Sequence, residues 1–171
     1  MDSTITAFET SPNRIIESIF FREMHSGEED KVCKLVLECF NKFISPGYSK
    51  EGIIEFNKYV NPDLLRERLT NSSYSFVALD KEEIVGVIEV RDINHISLLF
   101  VKEKCQNTGI AKKLVELSIE KSTELKHLLR LMEVNSSPYA IKVYESLGFV
   151  AIDVEQEVNG IRFVPMNLLL N

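Results

Sequence analysis

Gln106-Asn107-Thr108-Gly109-Ile110-Ala111 is the stretch whose residue types and spacing carry chemistry. It lies between a strand-like apolar run, Ile96–Val101, and a helix-like run, Lys112–Leu117. A strand that feeds a small-residue turn opening a helix gathers several unpaired backbone N–H groups at one point. The helix dipole adds partial positive charge there, and together they bind phosphate without any particular side chain. The chemistry predicted is the capture of a phosphate-bearing small molecule at residues 107–112.

Composition narrows the partners. The chain has 171 residues, 44% of them hydrophobic, enough to bury the core of one domain. Its formal net charge of -6 argues against sequence-independent nucleic-acid binding, which needs an excess of Lys and Arg. The same acidity favours a cationic small substrate. Cys33, Cys39 and Cys105 form no CxxC pair and are odd in number, so neither a zinc site nor a disulfide framework is readable. Reduced thiols, together with an N-terminus that lacks a signal-peptide pattern, point to the cytoplasm. No apolar run approaches the length of a membrane span, so no membrane partner is expected.

The elements that must position the turn are read from periodicity. Residues 1–16 are weakly patterned and read as an N-terminal arm. Residues 19–24 read as a strand. From Val32 to Ile44 apolar residues recur at helical spacing, and Ser45-Pro46-Gly47 ends that helix. Two more helical runs follow, 50–59 and one opened by Asn61-Pro62 as N-cap and first helical residue. The period then changes. Residues 74–79, 84–90 and 95–101 read as an antiparallel meander with short turns. A helix over 109–122, a strand over 128–134, and a helix opened by Ser137-Pro138 and ended by Gly148 come next. Two last strands, 149–155 and 160–169, are joined through Asn159-Gly160, a strong hairpin signal. No linker or repeat interrupts residues 1–171, which read as a single mixed α/β domain.

At this point the residues resemble a known family. Gln106, Gly109 and Ala111 fit Q-x-x-G-x-G/A, the acetyl-CoA-binding signature of the GNAT N-acetyltransferases. A second signature, a strand ending near Asn and then a helix containing A-I-x-x-Y-E-x-L-G-F, is matched by Asn135 and by Ala140-Ile141-Lys142-Val143-Tyr144-Glu145-Ser146-Leu147-Gly148-Phe149. The two in this order are specific, and the resemblance covers residues 74–170 well. It implies an α/β fold of the α+β type, a mostly antiparallel sheet of about six to seven strands flanked by helices, with strands 4 and 5 splayed. It also implies an enzyme, an acyltransferase that passes the acetyl group of acetyl-CoA, its cosubstrate, to a primary amine by direct attack in a ternary complex. A non-catalytic acyl-CoA-binding sensor on the same fold is the alternative. The acceptor would be a small molecule or peptide amine, and a homodimer is possible.

The resemblance assigns residues as well. The diphosphate would meet Gln106, Asn107, Thr108, Gly109, Ile110, Ala111 and Lys112. Lys102, Lys104, Lys112 and Lys113 could supply charge where the family often has Arg. The pantetheine arm, amide-rich like an extra strand, would pair with the edge at Leu99, Phe100 and Val101, with Asn135 and Ala140 opposite. A backbone N–H near Leu99 or Phe100 would polarise the thioester carbonyl. Tyr144 matches the family's general acid, a phenol protonated at pH 7 that donates to the leaving thiolate. The family often has a Glu about six residues before the Val that precedes the loop, and His95 stands there in this chain. A histidine with a pKa of about 6.5 suits a base at neutral pH. Alternation puts His95, Ser97 and Leu99 on one strand face. Glu89, acting through a water, is the other candidate base. Tyr48, Phe56 and Tyr59 flank the segment that closes over the acceptor in this family. No metal site is expected.

Overall fold

The structure, a computed structural model, describes residue 16 and residues 18–171. The arm expected over residues 1–16 lies outside the described residues apart from Ile16. Two cores, one on each face of a central sheet, organise the rest. On one face, helices α1 (Glu29–Phe43), α2 (Lys50–Tyr59) and α3 (Pro62–Asn71) form a cluster with Val77, Val87 and Leu98. On the other, helices α4 (Ile110–Leu125) and α5 (Ile141–Ser146) pack with Ile88, Ile96, Met132 and Met166.

The sheet has eight strands among the described residues: β1 (Ile19–Glu23), β2 (Ser73–Asp80), β3 (Glu83–Arg91), β4 (His95–Val101), β5 (Leu131–Ser136), β6 (Val150–Ala151), β7 (Gln156–Val158) and β8 (Ile161–Leu169). Their order is β1-β2-β3-β4-β5-β8-β6, with β7 also on β8. The β2–β3–β4 meander is antiparallel, as its short turns require. β4 and β5 are parallel because a whole helix, α4, intervenes.

The β4–β5 pair shapes the site. Its register joins His95 to Glu133 and Ile96 to Val134 and goes no further, although both strands continue. The strands splay, and a cleft opens beside Leu99–Val101.

Local chemistry explains the helix boundaries. Asn61 accepts from the backbone N–H groups of Asp63 and Leu64 at 2.9 and 3.2 Å, with Pro62 at the first helical position. Asn159 and Gly160 have φ of +52° and +77°, the doubly left-handed turn that Asn-Gly favours.

Several expectations shift. The strand expected over 128–134 begins only at Leu131, after a turn in which the Leu129 N–H donates to the Lys126 carbonyl at 2.9 Å. The run 149–155 is not one strand. Only Val150–Ala151 pairs with β8, and pairing resumes at Gln156. Ile152 and Val154 sit between the two pairings, exposed despite their apolar type. Ser137 caps nothing: Pro138–Ala140 form a 3-10 turn before α5, and the Ser137 Oγ is buried without a hydrogen-bond partner.

Candidate active site

The turn after β4 has the backbone of an N–H nest. Asn107 (φ +59°) and Gly109 (φ +91°) are both left-handed, which turns successive N–H groups to one side. Gly109 is the residue before α4 and offers no side chain to cap it. The first turn of α4 has no acid, the residue type that ordinarily neutralises a helix start, and it contains Lys112 and Lys113. Two side chains hold the loop in shape. The Gln106 Nε2 donates to the Val101 carbonyl at 3.1 Å, and the Thr108 hydroxyl donates to the Cys105 carbonyl at 2.6 Å.

A cavity of about 440 Å3 lies against this turn. Its walls include Leu99, Phe100, Val101, Gln106, Asn107, Gly109, Ile110, Ala111, Lys112, Ala140 and Tyr144. Thr108 is not among them, its hydroxyl being turned inward. Phe43 from α1 stacks on Tyr139 at 5.4 Å, and both line the cavity. Of the lysines named from sequence, Lys112 lines it, whereas Lys102 and Lys104 are both paired with Glu83.

A second cavity, about 570 Å3, adjoins the first. The two share Ile44, Leu99, Phe100, Ala140 and Tyr144. Both volumes fall in the range of small-molecule sites, about 300–1,000 Å3. His95 and Asn135 line the second cavity rather than the first, and so do Tyr48, Phe56 and Tyr59. The aromatic wall is stiff: Phe56 stacks on the fully buried Phe40 at 3.8 Å, and Tyr48 meets Phe40 edge-on at 5.6 Å.

The titratable groups differ sharply. Tyr144 is buried, its ring edge-on to Phe149 at 5.3 Å, and burial holds its phenol pKa well above the usual value. It is therefore protonated throughout the working pH range. His95 is pulled down to about 4 by burial and then by the Arg91 guanidinium, against a smaller opposing effect of Asp92. The sequence-based expectation of a pKa near the free value gives way to an imidazole that is neutral at pH 7. Glu89 is fully buried, and its two carboxylate oxygens accept from the Arg68 Nε and Nη2 at 2.7 and 3.1 Å. That guanidinium lies 3.8 Å over the Tyr59 ring. Burial also raises the pKa of the Cys105 thiol, which lines the first cavity beside the turn after β4.

One positional expectation is overturned. His95, Ser97 and Leu99 do not share a face. Glu89 pairs with Leu98 and Val90 with Ile96, so Ser97 is the extra residue of a β-bulge. The bulge inverts the alternation. Ile96, Leu99 and Val101 pack with the α4-side core, and Leu98 and Phe100 with the α1-side core. His95, adjacent to Ile96, is on the opposite face from Leu99.

Sequence reasoning missed the seam that roofs the second cavity. A Cβ on Gly52 would lie 2.1 Å from the Gly160 carbonyl oxygen, so α2 and the β7–β8 turn touch backbone to backbone. The Tyr48 hydroxyl donates to the Arg162 carbonyl, and the Arg162 Nη1 donates to the Gly47 carbonyl, both at 2.9 Å. The only sequence signal was a glycine in the first turn of a helix, where it costs stability unless something passes close.

The charge of the second cavity also departs from expectation. The chain is acidic overall, but this lining carries Arg91 and Arg162 against Glu55.

Comparison with known proteins agrees with this geometry. The acetyltransferase (GNAT) domain family model matches residues 44–170. Among curated proteins none matches. Among solved structures, a GCN5-related N-acetyltransferase from Rhodopseudomonas palustris is similar at TM-score 0.74 and 16% identity, covering 90% of this chain and 96% of its own. PaiA N-acetyltransferase from Thermoplasma acidophilum, in complex with coenzyme A, is similar at 0.72 and 17%, covering 90% and 99%. Spermidine N-acetyltransferase from Vibrio cholerae, in complex with CoA and spermine, is similar at 0.60 and 19%, covering 90% and 96%. No described helix is long and apolar enough to cross a membrane. A family match over most of the length, on a splayed β4–β5 pair with a left-handed turn at its mouth, makes this chain a member of the GNAT family and an acetyl-CoA-dependent acetyltransferase.

Proposed function

We propose that the chain transfers the acetyl group directly to a primary amine in a ternary complex. The observation that carries this reading is the junction of the two cavities at Leu99, Phe100, Ala140 and Tyr144. Acetyl-CoA supplies the activated thioester. The N–H groups of residues 107–112 and Lys112 hold the diphosphate, and the free edge of β4 at Leu99–Val101 receives the amide-rich arm. A backbone N–H at Leu99 or Phe100 stabilises the charge developing on the carbonyl oxygen. The amine nitrogen forms its bond to the acetyl carbon as the C–S bond breaks, and Tyr144 gives its phenolic proton to the departing sulfur. His95 accepts a hydrogen bond from the amine and relays its proton to solvent.

The test is release of free CoA thiol over a panel of amines, a polyamine (the ligand type in the Vibrio structure) among them. Turnover on at least one amine is expected. Neither candidate base is a strong one: Glu89 is engaged by Arg68, and His95 is a weak base. Firm acetyl-CoA binding with no thiol released on any amine would overturn the amine as acceptor.

The pKa of His95 predicts a pH profile. Its acceptor form persists down to about 4, so kcat/KM should show no inflection near 6.5 attributable to His95. An acid limb near 6.5 that disappears in His95→Gln would contradict this. Stability follows the same shift. Between the unfolded value, about 6.5, and the folded value, about 4, the unfolded chain binds the proton that the folded chain refuses. Stability should decline as pH falls through that window, and less steeply in His95→Gln, by urea titrations at several pH values.

The glycine seam gives a further expected result. Gly to Ala inside a helix ordinarily gains up to about 1 kcal/mol. At Gly52 the new Cβ meets backbone at 2.1 Å, so the β7–β8 hairpin must move away. Gly52→Ala should raise the acceptor KM about tenfold or more, since a contact misplaced by about 1 Å costs on the order of 10²-fold in orientation. Its acetyl-CoA affinity, set at the other cavity, should hold. Steady-state kinetics and a binding titration separate the two.

A further inference from the structure

We infer that the acceptor is an amine bearing a carboxylate on an apolar or aromatic body, of the free amino-acid type, and not a polyamine. This rests on the amine-acetylation reading above and specifies its substrate class. Three features of the second cavity point there.

The first is charge. The ionised side chains in the lining are Arg91, Arg162 and Glu55. Glu55, the single carboxylate there, already faces Lys58 at 3.6 Å. A polyamine, with a cation at every nitrogen, would meet two guanidinium groups and one shared acid. A carboxylate would meet donors instead. Arg91 spends Nη1 on Asp92 at 2.6 Å, and Arg162 spends Nε on Glu155 at 2.7 Å and Nη1 on Gly47. Each guanidinium has five N–H donors, so each retains some for an anion.

The second is position. Arg91 lies directly across the β3–β4 ladder from His95. A carboxylate held at Arg91 therefore lies on the same sheet face as the imidazole, on the side where an amine on the adjacent carbon would meet it. The same positive field and apolar walls favour the neutral over the protonated amine, which is the form that attacks.

The third is the wall. Phe56, Tyr59, Phe100 and Phe163 supply aromatic surface for an apolar body. The Ser137 Oγ, from a lining residue, is buried without a hydrogen-bond partner.

Phenylalanine and phenethylamine differ only by the carboxylate, so they isolate the first feature; spermidine supplies the polycation. Initial rates of thiol release with saturating acetyl-CoA should give phenylalanine a kcat/KM at least about tenfold above phenethylamine and above spermidine, the increment of one charge-assisted contact. Arg91→Gln should bring the phenylalanine to phenethylamine ratio towards one. Spermidine or phenethylamine turned over as well as phenylalanine, or a ratio unmoved by Arg91→Gln, would overturn the inference, as would binding of acetyl-CoA with no turnover of any of the three. A parallel calorimetric titration with acetyl-CoA separates the two levels: no binding there condemns the acetyl-transfer reading itself, while binding with the wrong amine preference condemns only the substrate class.

Discussion

Tyr144→Phe should lower kcat by about 10²–10⁴-fold, the contribution of a positioned general acid, and leave the acetyl-CoA dissociation constant within about twofold. The change removes one oxygen and keeps the ring. The packing that places the ring, edge-on against Phe149 in the α4-side core, survives, so stability should hardly move. Burial raises the phenol pKa, so the proton is present at every working pH. The same elevation makes the phenolate costly, which obliges Tyr144 to recover its proton promptly after each turnover. Tyr144 lies where the two cavities meet, the place a leaving sulfur must occupy if thioester and amine arrive from opposite sides. Rates of CoA release and a calorimetric titration of the same variant are the measurements. Unchanged turnover would take Tyr144 out of the mechanism and return it to a packing role.

The second large effect falls on stability. Arg68→Met should destabilise the fold by about 3–5 kcal/mol, because it leaves the Glu89 carboxylate buried without its partner. Glu89 is 0% exposed and Arg68 18% by side chain, so water cannot substitute. Against a total of about 5–15 kcal/mol for an ordinary domain this is a large fraction. The double variant Arg68→Met, Glu89→Leu should recover most of the loss, since the cost is the orphaned charge and not the absence of the pair. Urea denaturation of the three proteins is the check. A loss below about 1 kcal/mol for the single variant would mean that the pair is wetter than its burial implies. The pair also bears on catalysis. Arg68 lies over Tyr59 and donates to its carbonyl at 3.0 Å, so it fixes one wall of the second cavity, and Glu89 in turn holds Arg68.

The shape of the turn after β4 was legible in sequence because everything it needs is contiguous: Asn107 and Gly109 for left-handed backbone, then a helix start without acids. The hairpin at Asn159-Gly160 was legible for the same local reason. What escaped depends on residues far apart in the chain. The bulge at Ser97 is a property of two strands in register, and no pattern within 95–101 announces it. The contact of Gly52 with Gly160 joins a helix to a turn more than a hundred residues later. The depressed pKa of His95 comes from burial and from Arg91 on the neighbouring strand. Net charge did not foreshadow the second cavity, since most acids of the chain lie elsewhere and its lining is basic. Apolar type misled at Ile152 and Val154, which read as strand but fall between two pairings to β8.

The central claim is that main-chain amides after β4 hold a diphosphate and so orient a thioester at the cavity junction. Calorimetric titration of the whole chain with acetyl-CoA, and then with S-acetylpantetheine, which carries the same thioester without the diphosphate, tests it most directly. The account predicts one saturable site for acetyl-CoA and affinity at least about 100-fold weaker for the truncated thioester, about 2.7 kcal/mol. Equal affinity for the two, or no heat with acetyl-CoA, would contradict it.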